Sequence, residues 1–390
     1  MRNKLIAVLF IPLAAGILLL PACKDDNGLG TSNETYEADA LGSANAVFTQ
    51  TNQTGGNEVR VYSRSSDGNI TFLNSYSTHG SGTGTGLGSQ GALAFSHGGS
   101  ILLVVNAGSN EVSVFSAAGN GLIFKSKISS GGTMPISVTG KGELVYVLNA
   151  GGSGNITGFR LMDNGTLTPI PNSTRFLSNN GIGNSPGPAQ ISFSPSGALL
   201  AVTEKATDKI LSYTVNMDGT VNGPNIFPSA GATPFGFDFR SNDQIIVSEA
   251  FGGAADASAV SSYSVNGSGT IGLISGPVFT TETAACWIVI TNNRSYTYTS
   301  NTGSGTITGY SMNPSGVLTI LNADGVTANI GPMTSPIDMS LSRDSRFLYC
   351  LNAGNGTISS LKVNNDGSLT IINLSSVTGL PSGTAGILAK

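Results

Sequence analysis

The feature that most constrains this chain is a short strand pattern that recurs seven times along its 390 residues. In each copy, apolar and β-branched residues alternate with small polar ones, and turn-forming residues flank the strand. The copies align on the residue at the end of this strand, which is Tyr62, Phe115, Phe159, Tyr213, Tyr263, Tyr310 or Leu361. Successive copies lie about 44 to about 54 residues apart, at the long end of the period expected for a β-propeller.

Each copy predicts a sheet of four strands. A first strand ends in a turn, as at residues 193–197, and a second strand forms a hairpin with the aligned third strand. A further turn and a fourth strand follow. The residues that end the second strand are Asn106, Asn149, Glu204, Glu249, Asn301 and Asn352. Because such a sheet cannot bury both of its apolar faces alone, we expect the sheets to stack around an axis.

The predicted fold class is therefore all-β, a seven-bladed β-propeller of four-stranded antiparallel blades. The first repeat begins near Asn45 and lacks an inner strand of its own, whereas residues 383–390 follow a complete seventh blade. We therefore predict that the C-terminal strand joins blade one and closes the ring.

The N-terminal residues predict an exported and anchored protein. Arg2 and Lys4 precede an apolar run over residues 5–20, and Leu-Pro-Ala stands directly before Cys23. A charged start, a short apolar segment and small residues are typical of a secretory signal, and the cysteine resembles a bacterial lipobox. The apolar run of roughly 16 residues is short for a membrane span. We interpret residues 1–22 as a lipoprotein signal peptide and Cys23 as the lipidated residue that anchors the chain to the membrane.

The residues after Cys23 predict where the protein is displayed. Lys24, Asp25 and Asp26 resemble the signal that follows the lipidated cysteine in surface-exported lipoproteins of Bacteroidetes-type bacteria. A solvated charge run is the alternative. We expect an outer-membrane lipoprotein, either surface-exposed or facing the periplasm, with residues 23–43 as a flexible tether and residues 44–390 as the propeller.

Composition limits the partners and the chemistry. The net charge is −4 and charged residues make up 10% of the chain, which argues against nucleic acid or an anionic membrane surface as a partner. With only His79 and His97 available, neither a histidine metal site nor a serine triad is expected, and no cofactor is predicted. We expect a monomer. Cys286 and Cys350 are either a disulfide between neighbouring blades or two buried free thiols.

One local motif is interpreted as a loop. Residues 86–91 fit G-x-G-x-x-G but lie in a long Gly-rich stretch that leads into a strand. Dinucleotide binding needs a helix N-terminus for the pyrophosphate, so the motif predicts no such site.

The repeats resemble a known family. Residues 145–159 and 347–361 resemble the YVTN-type repeat, and residues from about 45 to 390 look like the seven-bladed propeller lactonases. That family includes 6-phosphogluconolactonase and carboxymuconate-lactonising enzymes. The resemblance implies histidine and arginine where inner strands begin, but the corresponding residues 133–136, 188–190 and 234–236 contain neither.

A carboxylate position of the family is retained. Glu249 stands where the resemblance implies a glutamate, and Glu204 is a second carboxylate on the neighbouring blade. Opening a lactone needs a general base and a cation or donor for the developing oxyanion. Glu249 is the predicted base, and Lys205 is the nearest cation in the sequence. Alternatively, both glutamates are solvated strand-end residues that replace the Asn of other blades.

Two functions follow from these observations. Trp287, Asp338 and Gln190 are predicted to line the channel mouth and to bind a ligand, although Trp287 could instead wedge between blades. The first function is a binding module for a carbohydrate, peptide or partner protein at the loop face. The alternative is a hydrolase of sugar or other lactones.

Overall fold

The computed structural model describes residues 45–118 and 121–390. The predictions made for residues 1–43 lie outside the described residues. The described chain forms thirty strands in seven antiparallel sheets, together with two short 3-10 turns at His97–Gly99 and Phe251–Gly253. This confirms the predicted all-β fold and the number of blades.

The first four blades follow the predicted repeats. Blade one contains β1 (Ala46–Gln50), β2 (Glu58–Arg64) and β3 (Ile70–Ser77), and blade two contains β4 (Leu93–Ser96), β5 (Ile101–Asn106), β6 (Glu111–Ala118) and β7 (Gly121–Ser129). Blade three contains β8 (Pro135–Lys141), β9 (Leu144–Asn149), β10 (Asn155–Leu161), β11 (Leu167–Pro169) and β12 (Arg175–Phe176). Blade four contains β13 (Pro188–Phe193), β14 (Leu199–Glu204), β15 (Lys209–Val215) and β16 (Val221–Pro228).

The remaining strands complete the ring. Blade five contains β17 (Pro234–Ser241), β18 (Gln244–Glu249), β19 (Ala259–Val265) and β20 (Ile271–Phe279). Blade six contains β21 (Ala285–Ile290), β22 (Tyr296–Asn301), β23 (Thr306–Met312), β24 (Leu318–Ile320) and β25 (Ala328–Asn329). Blade seven contains β26 (Pro336–Leu341), β27 (Phe347–Asn352), β28 (Thr357–Val363) and β29 (Leu369–Val377), and the chain then continues into β30 (Ala385–Ala389).

The C-terminal strand closes the ring as predicted. β30 pairs antiparallel with β1 and lies innermost in blade one, with Val47 opposite Ala389 and Phe48 opposite Leu388. The Thr49 hydroxyl donates to the Gly386 carbonyl at 2.6 Å across this pair. Both ends of the described chain are therefore held in one sheet.

The outer strands of blades three and six differ from the prediction of one continuous strand. In blade three, Pro171 follows β11, and proline cannot donate to a strand ladder. In blade six, the Gly325 amide donates to the Asn322 carbonyl at 2.9 Å, which forms a turn between β24 and β25. Each interruption leaves two short outer strands in place of one.

Hydroxyl groups fasten neighbouring blades together. Tyr146 donates to the Gly219 carbonyl of the next blade at 2.7 Å, and Tyr349 of blade seven donates to Gly68 of blade one at 2.9 Å. Both glycines have positive φ and lie in the turn between third and fourth strands. A Cβ at Gly68 would lie 2.4 Å from the Phe347 ring, so this turn requires glycine.

Candidate functional site

Strand direction distinguishes two faces of the ring. The first strand of each blade begins on the face that we call the upper face, as Pro135 and Pro188 do. The first strand ends on the opposite, lower face. Asn45 and Lys390 lie on the lower face, where the Lys390 amide donates to the Ala46 carbonyl at 2.9 Å.

A loop crosses the upper mouth of the central channel. The connection from β3 to β4, residues 78–92, is the longest connection between blades, and its residues 86–91 form what we call the plug loop. The Ser89 hydroxyl donates to the Ile136 carbonyl in blade three at 2.8 Å. The Trp287 indole in blade six donates to the Ser89 carbonyl at 2.9 Å. The loop therefore contacts blades on both sides of the axis.

Gln90 fixes the plug loop to the far side of the channel. Its amide nitrogen donates to the Ile288 carbonyl at 2.7 Å, and its amide oxygen accepts the Ile288 N–H at 3.1 Å. A Cβ at Gly236 would lie only 2.1 Å from this oxygen. The Gln90 side chain thus occupies space that a side chain at position 236 would fill.

The inner strands are joined by a repeated contact that we call a latch. In each latch, a side-chain oxygen of one inner strand accepts a backbone N–H from the inner strand of the next blade. The latches are Ser137 Oγ with Ile191 N at 3.2 Å, Gln190 Oε1 with Phe237 N at 2.8 Å, and Asp338 Oδ2 with Ile387 N at 3.3 Å. Gly236 has no side chain to form a latch, so Gln90 accepts the N–H of Ile288 in its place.

The latches place two predicted ligand-binding residues in the channel wall. Gln190 and Asp338 both line a cavity of about 270 Å³ along the axis, together with Gln90, Thr139 and Ser192. Burial raises the pKa of Asp338 to about 8, although hydrogen bonds from Ile387 and Met339 oppose the rise. Their side-chain oxygens already accept backbone N–H groups, so both residues have a structural role in the ring.

Lys205 and Trp287 lie directly beneath the plug loop. The Lys205 ammonium donates to the Gly88 carbonyl and lies 4.7 Å from the centre of the Phe235 ring. The same ring lies 4.8 Å from the Trp287 ring. Burial lowers the pKa of Lys205, although the nearby Cys286 thiol acts in the opposite direction. These two predicted site residues therefore hold the loop, and Trp287 contacts both the loop and blade five.

Glu249 lies in a buried cluster of hydroxyl groups. Its exposed fraction is 0%, and its oxygens accept hydrogen bonds from Ser229 at 3.0 Å, Ser261 at 2.8 Å and Tyr263 at 2.8 Å. In blade seven, Asn352 at the corresponding strand end donates to Ser359 at 2.8 Å. Glu249 thus replaces an asparagine that joins the second and third strands.

Glu204 has a similar environment in blade four. It is 0% exposed and accepts hydrogen bonds from the Ser178 hydroxyl and the Thr207 hydroxyl, both at 2.6 Å. The alternative that the two glutamates replace asparagine fits this geometry, but the expectation that they are solvated is wrong, because neighbouring hydroxyls satisfy the buried carboxylates. Within the described residues, Glu204, Glu249 and Lys205 share no hydrogen-bonding partner.

Gln90 and Phe235 were not identified as site residues from the sequence. The available signal was the length of the stretch before β4, which exceeds what a crossing between adjacent blades requires.

Cys286 and Cys350 are buried free thiols in the structure, and burial raises the pKa of Cys286 to about 12. Among residues 45–118 and 121–390, no cluster of three or more His, Cys, Asp or Glu could hold a metal ion. No helix in these ranges has the length and apolar character needed to cross a membrane.

Comparisons with known proteins agree with the ring. Residues 55–179 match the family model described as lactonase, 7-bladed β-propeller. No curated protein matches the chain significantly. Among solved structures, a protein of Bacteroides fragilis provisionally named a 6-phosphogluconolactonase is 17% identical, covers 88% of this chain and 97% of its own, and has a TM-score of 0.68. The periplasmic gluconolactonase of Pseudomonas aeruginosa is 16% identical over 87% of this chain and 98% of its own, with a TM-score of 0.67.

At these identities the solved structures support the fold and not a shared activity. The family match covers β2 and β3 of blade one and all strands of blades two and three, and the remaining blades are antiparallel sheets of four or five strands. The chain thus forms a seven-bladed β-propeller and is similar, over residues 55–179, to the lactonase family of such propellers.

Proposed function

We propose that this protein is a membrane-anchored binding module of the cell envelope, which binds a carbohydrate, peptide or partner protein at its upper face. The observation that carries the proposal is the plug loop in the channel mouth. Lys205 and Trp287, the cation and the aromatic side chain nearest that mouth, both donate hydrogen bonds to the loop. These two side chains are thus already bound to the chain itself, which favours a binding role over catalysis at this mouth.

The chemistry of the carboxylates supports the same proposal. A general base must reach a water molecule beside the lactone carbonyl, and a donor must face the developing oxyanion. Glu249 accepts three hydroxyl hydrogen bonds and has no exposed surface. Lys205 donates to a loop carbonyl instead of facing an open pocket.

The upper face also presents apolar side chains suited to binding. Ile182 is 77% exposed and Met333 is 87% exposed, and both lie in connections between blades. Ile182 lies between blades three and four and Met333 between blades six and seven, so they provide two separate apolar contact points on this face. A ligand bound there would contact several blades at once.

The anchoring part of the proposal rests on the N-terminal sequence. Cys23 after an apolar segment supports lipidation, and the residues that follow it support an outer-membrane location with surface exposure. The name of the Pseudomonas aeruginosa structure includes the word periplasmic, which is compatible with an extracytoplasmic location.

A lactone hydrolase is the second candidate. It is favoured by the half-buried Lys205, which contacts a carbonyl and an aromatic ring and forms no ion pair with a described residue. It is also favoured by the gluconolactonase names of the similar structures. Displacement of the plug loop would bring this amine to the channel mouth, where it could stabilise an oxyanion.

The test measures both candidates on residues 24–390, which retain every described strand. Proton release is followed on sugar and aliphatic lactones for the unmodified protein, Glu249→Gln and Lys205→Met. We expect no turnover above the buffer rate. Turnover that disappears in either variant, while Lys125→Met remains active, would establish the hydrolase and reject a purely binding role.

Binding is measured with immobilised oligosaccharides and peptides. We expect retention of at least one class of probe and at least fivefold weaker retention by Met333→Ser. Lys125→Ser, on the outer rim, is the matched control and should bind normally. Retention of no probe, or equal retention by all variants, contradicts binding at the upper face.

A further inference from the structure

The lower face carries a series of basic side chains around the channel. Arg240 lies near the end of the first strand of blade five, and Arg294 and Arg343 lie in the turns between first and second strands of blades six and seven. The Arg240 guanidinium donates to the Arg294 carbonyl at 2.9 Å, and Asn292 beside it donates to the Arg343 carbonyl. These contacts make the three arginines neighbours on one surface.

The series continues across the closure of the ring. The Lys390 ammonium lies 4.6 Å from the centre of the Phe95 ring, and burial together with the charge of Arg343 lowers the pKa of Lys390 to about 8. Arg64 donates to the Lys390 carbonyl at 3.3 Å. We call the surface formed by Arg240, Arg294, Arg343 and Arg346, together with the buried side chains of Lys390 and Arg64 beside it, the basic crescent.

The basic crescent contains a cleft. A cavity of about 220 Å³ is lined by Arg64, Arg343, Arg346, Asn45 and Asp344. Asp344 pairs with Arg346 at 2.5 Å. Burial alone would raise the pKa of Asp344, but hydrogen bonds from Ser342 and Arg346 outweigh it and lower the value to about 2. The cleft thus brings three guanidinium groups together around one ionised carboxylate.

Positive charge exceeds negative charge on this part of the surface. Arg240, Arg294 and Arg343 form no ion pair with any residue in the described part of the chain. The acids in the same turns are Asp243 and Asp344, and Asp67 and Asp366 lie further out on blades one and seven. The corresponding outer turns of blades five and six carry Asn266 and Asn313 instead.

The upper face carries several acids. Glu58, Asp208, Asp256 and Glu282 lie on strand ends and loops of that face, where Lys205 and Lys209 also lie. The net charge of −4 is a sum over the whole chain and does not say where the charges lie. The sequence-based argument against an anionic membrane surface as a partner used only this net charge.

We propose that the basic crescent docks the lower face onto a lipid surface that carries anionic phosphate headgroups. Guanidinium groups bind phosphate oxygens in a forked geometry, and each cation near such a surface strengthens attachment by about fivefold. Residue 45, which joins the N-terminal 44 residues, lies within the crescent and bonds to Arg64 through its side chain at 2.8 Å. Docking in this orientation turns the upper face away from the lipid.

The test is sedimentation of residues 24–390 with lipid vesicles, so that no lipid anchor contributes. We expect binding to vesicles that contain phosphatidylglycerol, little binding to pure phosphatidylcholine, and a decrease as salt is added. The double variant Arg294→Glu/Arg343→Glu should bind at least tenfold more weakly. Both residues are exposed, so we expect the variant to fold, which circular dichroism checks.

A matched control changes charge outside the crescent. Lys125→Glu alters an exposed cation on the outer strand of blade two and should bind like the unmodified protein. Equal binding to both vesicle types, or equal loss in Lys125→Glu, overturns the proposal. Loss of vesicle binding on addition of millimolar inorganic phosphate at constant ionic strength also overturns it, because the cleft would then be a site for a soluble anion. These outcomes do not depend on the ligand or activity of the upper face.

Discussion

Gln90 provides a direct test of how the channel mouth is closed. In Gln90→Met the side chain keeps a similar length but loses both hydrogen bonds to Ile288, which are 2.7 Å and 3.1 Å long. The N–H and C=O of Ile288 would then lack partners on a buried inner strand. An unsatisfied buried polar group costs about 1–3 kcal/mol, so the unfolding free energy should fall by roughly 2–4 kcal/mol.

The chain provides its own reporter for this change. Trp287 is the only tryptophan, is buried, and donates to the plug loop at Ser89. Release of the loop should shift its emission to longer wavelength and increase quenching by acrylamide. Urea unfolding at constant pH measures the change in free energy.

A matched glutamine separates this effect from a general cost of substitution. Gln53 also donates to carbonyl groups, but it is part-exposed and water can replace its partners. Gln53→Met should therefore change the unfolding free energy by no more than about 0.5 kcal/mol. If Gln90→Met behaves like Gln53→Met and leaves the emission unchanged, the reasoning about the plug loop is wrong.

Three further predictions concern buried groups. Burial raises the pKa of Asp338 to about 8 in the folded protein, above the value of about 4 in the unfolded chain. Between these two pH values the folded state keeps a proton that the unfolded state releases. The free energy of unfolding should therefore fall as the pH rises through that range. Asp338→Asn should flatten the loss measured by urea unfolding between about pH 5 and pH 9, and an unchanged slope would contradict this origin. Glu249→Ala should lower the unfolding free energy by about 3 kcal/mol or more, because three buried hydroxyls lose their acceptor. Glu249→Gln keeps one acceptor oxygen and should lower it by less. Equal losses of stability in thermal unfolding would argue against the hydroxyl cluster. Cys286 and Cys350 should not react with a thiol reagent in native residues 24–390 and should both react after unfolding in denaturant, while no reaction in either state would indicate a disulfide.

Local signals in the sequence were sufficient to predict the ring. Strand alternation and turn residues specify each hairpin over a few residues, and the third-strand ends from Tyr62 to Leu361 all lie in third strands of blades. The closure by residues 385–389 followed from counting strands. The interruptions in blades three and six were missed because each strand there is only two or three residues long.

The candidate site could be predicted only in part. The sequence indicated that Glu249 and Glu204 take the place of asparagine, because both end a second strand. It did not indicate their burial, since the hydroxyls that surround Glu249 come from the start of a loop and from the third strand. Their predicted catalytic roles, and the ligand-binding roles of Trp287, Asp338 and Gln190, stay predictions for the experiments above.

The sequence by itself determined the number of blades, the strand ends and the closure of the ring, because hydrogen-bonded hairpins are encoded by neighbouring residues. Only the tertiary structure decided that Gln90 reaches Ile288, which is 198 positions away in the chain. Only the structure showed that cations lie close together on the lower face, because the net charge of a chain does not say where its charged side chains lie. Contacts between distant blades depend on where the ring places each loop, and a glycine-rich loop has no periodicity from which that path can be predicted.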